Sequence, residues 1–141
     1  MKSYMEVPEE AVEGMGVRDV RVRWLIGDDL GINFAIRRYE IEGRIPVHIH
    51  SHEHGIYVLS GSGKVWGGGG STDLKPGHFL FVAPNEPHGF ENTGGEPLVI
   101  LCIVPIKRGI TEMLEYGRNK SSQALFIKLF IDEASLGAVF R

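Results

Sequence analysis

A chain of 141 residues is long enough for one domain with its own core and too short for two comfortable ones. Its composition, 43% hydrophobic and 23% charged, is that of an ordinary globular protein. A formal net charge of −3, with Lys and Arg scattered along the chain, gives no long-range attraction to nucleic acid or to an anionic membrane surface.

The lone cysteine, Cys102, excludes an intrachain disulfide framework and fits a reducing compartment. The acidic start MKSYMEVPEEAVEGMG lacks the apolar segment of a signal peptide. No run reaches the roughly 18 to 20 apolar residues that span a bilayer. The expectation is a cytoplasmic protein with no nucleic-acid or membrane partner.

Residues 1–19 are polar, contain Pro8, Gly14 and Gly16, and read as an arm or loop. Short β-prone runs then follow at close intervals: 20–26, 33–42, 47–50, 56–60, 64–66, 78–83 and 97–104. Between them stand GDDLG, EGRIP, GSG, GGGGSTD, KPG, APNEP and NTGGEP, all rich in turn formers. Many short strands with such punctuation predict an all-β sandwich or barrel. VRVRW alternates apolar and basic residues, as a half-buried edge strand or a dimer interface does. Gly67 to Gly70 lack the Gly-Lys-Ser/Thr ending of a phosphate loop and read as a hairpin connection.

After Ile110 the pattern changes. SSQALFIKLFIDEASLGAVFR has Ser121 or Ser122 as a helix N-cap and Gly137 as a stop, with Lys128, Asp132 and Ser135 in one narrow polar stripe. A strand is the alternative for ALFIKLFI. Either way, residues 111–141 are expected to cover the barrel 20–110 or a partner subunit. A homodimer is the expected assembly.

HIHSHEH, residues 48–54, holds four of the six histidines. On a strand, His48 and His50 project to one face, and two neutral imidazoles on one wall are half of a metal site. His54 shares the parity of Ile56 and Val58 on the next run. His52 and Glu53 fall at the bend and are expected to face solvent, as is His78. His88, held just after the Pro84/Pro87 turn, is the remaining candidate ligand.

GRIPVHIHSHEHGIYVLSG followed by PGHFLFVAPNEPHGFEN resembles the two ordered motifs of the cupins over about residues 20–106. The first motif falls on Gly43, His48, His50, position 54 and Gly61, and the second on Pro76-Gly77, Pro84, His88 and Asn92. Two departures stand out: four residues rather than five precede His48, and His54 replaces the usual glutamate ligand. The second resembles the small single-domain cupins with a four-histidine site.

The resemblance implies a double-stranded β-helix (a jelly-roll barrel, RmlC-like) with a C-terminal extension. One divalent transition metal (Fe, Mn, Zn, Ni or Cu) is implied on His48, His50, His54 and His88. Four protein ligands in an octahedral arrangement leave about two positions for water, O₂ or a substrate oxygen. The inward wall should be apolar, from Ile56, Val58, Phe90 and members of LVILC. The resemblance also puts Cys102 near the metal, although a small core residue is the equal alternative. It makes Arg37, rather than Arg38, the residue that reaches inside to hold a carboxylate. A metal-dependent dioxygenase acting on a small molecule is the leading expectation, with isomerase or lyase chemistry behind it. A non-catalytic metabolite-binding cupin and a purely structural metal remain the alternatives, because cupins host many functions.

Overall fold

The computed structural model describes residues 1–106 apart from Asp28 and Ile32, so the helix expected near the C-terminus and its expected packing lie outside the described residues. A 3₁₀ turn at Tyr4–Glu6, capped by Ser3, precedes nine strands among the described residues. They are β1 (Glu10–Ala11), β2 (Arg18–Ile26), β3 (Phe34–His48), β4 (His54–Ser60) and β5 (Gly63–Gly67), then β6 (Gly70–Leu74), β7 (Phe79–Val82), β8 (His88–Asn92) and β9 (Leu98–Pro105). Pairing is antiparallel in the order β6-β5-β8-β3-β9-β4-β7, with β2 added to β3 and β1 to β2. The strands curl into a half-barrel, the all-β jelly roll expected from the sequence. Ile41, Val58, Leu98, Ile100 and Val104 fill its core and are almost fully buried. Each such side chain contributes about 1.5–3 kcal/mol.

Strand β3 corrects the sequence reading of EGRIP as a turn: Phe34–His48 is one strand that joins most of the run 33–42 to the start of the run 47–50. Its first part pairs with β2 and β9, whereas Arg44, Ile45 and His48 pair with β8. The changeover sits at Gly43, where a Cβ would lie 2.2 Å from the Arg18 carbonyl oxygen. Only glycine lets the β2 backbone come that close, so the strand bends there without ending. Strand β6 was also missed, because Gly-Ser-Thr-Asp reads as turn chemistry although it pairs residue for residue with β5.

The alternation in VRVRW is real, with Val20, Val22 and Trp24 buried. Its basic face, however, is used within the chain. Arg21 and Arg23 reach Glu9 at 3.4 and 3.1 Å, and Arg23 also donates to the Val7 carbonyl. The 1–19 segment therefore folds back along β2 instead of standing off as an arm, and the Val12 amide donates to the Val20 carbonyl at 2.9 Å.

Candidate metal centre

Three features bring the histidines together. His48 ends β3 directly opposite His88, the first residue of β8, and their rings lie 4.4 Å apart. His50 lies beyond the end of β3, not on it as its i, i+2 spacing predicts, yet it is 1% exposed. The 83–87 turn holds it there: the Asn85 amide donates to the His50 carbonyl at 2.8 Å. His54 opens β4 and shares its buried face with Ile56 and Val58, as strand parity predicts.

Backbone carbonyls fix the ring tautomers. His48 Nδ1 faces the Pro46 carbonyl at 2.9 Å, His50 Nδ1 the His52 carbonyl at 2.8 Å, and His88 Nδ1 the Glu86 carbonyl at 2.9 Å. A carbonyl only accepts, so each Nδ1 carries the hydrogen and each Nε2 keeps its lone pair. Burial, reinforced by the His88 ring, holds the His48 pKa down at about 3. Burial likewise pushes His50, His54 and His88 below the ordinary histidine range. The rings are therefore neutral at neutral pH.

His50 Nε2 and His88 Nε2 nevertheless face each other at 3.1 Å. Two neutral nitrogens with no hydrogen between them repel unless a cation joins them. Imidazole nitrogens about 2.1 Å from one ion, at right angles, lie about 3 Å apart. The donor set thus fits a divalent transition ion.

Among the described residues, ligand atoms fall into two groups that could hold a metal: His48, His50 and His88, and His50, His52 and His54. The four predicted histidines are adjacent, and His54 Nε2 also meets His52 Nε2 at 2.9 Å. The expectation that His52 faces solvent is overturned. It is 6% exposed and its ring stacks on His50 at 3.9 Å, because the 49–53 loop curls inward to bring the His52 carbonyl to His50. Glu53 and His78 do face solvent.

A cavity of about 100 Å³ adjoins the cluster, lined by His48, His54 and His88 together with Arg37, Tyr39, Ile56, Phe90 and Cys102. Val58, expected in this wall, is fully buried in the core beneath it. Arg37 points inward as predicted, and Arg38 outward to Glu40 at 2.8 Å. Cys102 Sγ accepts from Arg37 Nη2 at 3.3 Å and lies 3.3 Å from His54 Nδ1, so it touches the histidine cluster.

The Arg37 guanidinium lies between the Trp24 and Tyr39 rings, at 5.6 and 5.5 Å from their centroids. Among the described residues no carboxylate pairs with it, and its Nε has no hydrogen-bond partner. Burial opposes its charge, and the neighbouring Tyr39 and Cys102 more than offset that. Burial pushes the Tyr39 phenol above its ordinary range, so it keeps its proton. Sequence reasoning missed Tyr39, although it shares the strand parity of Arg37. It also missed Val12, Met15 and Val17, which line the cavity from the N-terminal segment.

The cupin domain family matches residues 36–104. An uncharacterized protein of Methanocaldococcus jannaschii is 35% identical over 90 residues, 57% of this chain and 72% of that protein. A glucose-6-phosphate isomerase of Thermococcus gammatolerans is 40% identical over 60 residues, 43% of this chain and 29% of that protein. Among solved structures, the polyketide cyclase RemF from Streptomyces resistomycificus superposes with a TM-score of 0.70 at 26% identity, covering 89% of this chain and 96% of that one. A cupin 2 conserved barrel domain protein from Rhodopseudomonas palustris gives 0.61 at 22% identity, covering 84% and 89%. With both histidine motifs in register and the barrel they predict in place, the chain belongs to the cupin superfamily.

Proposed function

We propose that this cupin is a metal-dependent enzyme of the four-histidine type, using His48, His50, His54 and His88 to hold one divalent transition metal. Its substrate is a small organic anion with a carbonyl beside a carboxylate or enolate. The observation that carries this reading is the juxtaposition of neutral, tautomer-fixed imidazoles with a buried guanidinium that has no carboxylate partner among the described residues. When bound, the metal supplies a Lewis acid for a substrate oxygen. Arg37 holds the anionic end by a fork of N–H donors and fixes the substrate's orientation. The Tyr39 hydroxyl, kept protonated, donates to a developing oxyanion. Ile56, Phe90 and Ile100 exclude water from the reacting end.

The relatives support carbonyl chemistry over the dioxygenase expected from the sequence, since a polyketide cyclase and a sugar-phosphate isomerase stand among them. Oxygenase chemistry is the second reading, favoured by the apolar wall. Among the described residues the cavity lining contains no carboxylate base, which favours the alternative of a metabolite-binding protein without turnover. One experiment separates the three. Protein purified without added metal is analysed for bound metal, then offered 2-oxo acids and 1,3-dicarbonyl acids while oxygen uptake and product formation are followed. Turnover without oxygen uptake supports the proposal, uptake supports the oxygenase, and saturable binding without product supports the binding protein. Absence of any bound transition metal would refute the metal-dependent reading.

A further inference from the structure

The inward turn of His52 has no place in a four-ligand reading. We propose that His50, His52 and His54 form a second metal-binding triad, overlapping the first through His50, that takes the same class of divalent transition ion; the inference rests on the cluster being a metal centre. His52 and His54 present Nε2 to Nε2 at 2.9 Å, and both rings are buried. The three ligand atoms lie within 4.8 Å of one another, the same closeness that unites His48, His50 and His88. That spacing suits nitrogens sharing one ion.

The two triads cannot both be filled. His50 Nδ1 is taken by the His52 carbonyl, which leaves His50 a single lone pair, at Nε2, for an ion. They are alternative positions for one metal. His48, His54 and His88 line the cavity, whereas His52 does not and sits between the exposed Ser51 and Glu53 of the loop. The outer triad therefore faces the loop side and the inner one the substrate side. His54, which borders both, lies on the path between them.

The test uses cobalt(II) alone as the probe, titrated into the full chain and followed by its visible absorption, with a competing chelator to set the affinity. Wild type should bind one ion per chain. His48→Ala, which breaks only the inner triad, should still bind one ion, more weakly. Adding His52→Ala to it should cost a further factor of about 100 or more, beyond what losing a hydrogen-bond partner of a ligand costs. His52→Gln serves in place of His52→Ala if circular dichroism shows that the double variant fails to fold. The proposal is overturned if the double variant binds as His48→Ala does, or if His48→Ala binds nothing while wild type does. Silence of wild type itself would sink the metal centre, and this inference with it.

Discussion

Gly89 offers a sharp test of how the fold sets the histidine geometry. It follows His88 on β8, and a Cβ added there would meet Val47 N at 2.7 Å, Ile45 O at 2.8 Å and Pro46 C at 2.8 Å. All three are backbone atoms of β3, so no side chain can rotate away. Ordinary contact begins at 3.4 Å, so in Gly89→Ala the two strands must separate by about 0.7 Å. Overpacking of this kind costs about 1–3 kcal/mol. Stiffening the unfolded chain returns about 0.4–1 kcal/mol, leaving a net loss of about 1–2 kcal/mol.

The separation falls where His48 and His88 face each other across the pair, and ligand sets tolerate displacements of only about 0.5 Å. Urea unfolding of the metal-free protein should show the stability loss. Cobalt affinity of the folded variant should fall about tenfold or more, in line with the loss of a ligand's positioning contact. A variant with wild-type stability and unchanged cobalt affinity would refute the close approach of β3 and β8 as the positioning device.

Arg37→Met should weaken binding of a carboxylate-bearing ligand by about 10- to 100-fold, the loss of a charge-assisted bond of about 1.5–3 kcal/mol, with Arg37→Lys rescuing only part; equal binding by all three, measured calorimetrically, would exclude Arg37 from the ligand site. For acid stability the sign follows from the depressed histidines: the unfolded chain binds protons near pH 6.5, whereas folded His48 resists until about pH 3. The metal-free protein should thus keep its full stability above pH 6.5 and lose about 5 kcal/mol from His48 alone as pH falls to 3. Urea midpoints in chelator should decline across that window, less steeply in His48→Gln, and a flat profile would refute the burial argument. The outer face of β4 and β7 exposes Tyr57, Leu59, Phe79 and Phe81, the last two at 80% and 63%, and we propose that two copies pair there, not through VRVRW; Phe81→Glu should shift the sedimentation mass towards one chain of 15.6 kDa, and a wild type already at that mass would refute the dimer. Truncation after Ile110 should leave cobalt affinity unchanged while changing solubility or oligomer; loss of metal with the barrel still folded would show that the segment helps close the site.

The parts of this molecule legible in the sequence are those set by local chemistry. Strand parity alone placed His54, Ile56 and Val58 on one buried face, and the Pro84/Pro87 turn located His88. Arg37 needed the family resemblance as well as parity, because a basic residue on a strand is more often exposed. The illegible parts depend on contacts between distant residues. EGRIP has the composition of a turn, but the approach of Arg18 to Gly43 makes it a bend in a continuing strand. His52 has the composition and position of a loop tip, yet the carbonyl bond to His50, the ring stack and the contact with His54 accompany its inward turn. Tyr39 carries no motif at all, since its role comes from lying against Arg37.

Val12, Met15 and Val17 wall the cavity, yet they precede β2 and belong to no barrel strand. Part of the cavity wall is therefore encoded apart from the strands that carry the histidines. Substitutions, or a wholesale exchange of the first 17 or so residues, can reshape which molecules fit without disturbing the strands that hold the imidazoles. Val12 and Val17 also pack against the barrel core, so such an exchange must keep apolar side chains at those two positions. A barrel of this kind can acquire new substrates by trading its leading segment, which makes that segment the economical target for a recombination library.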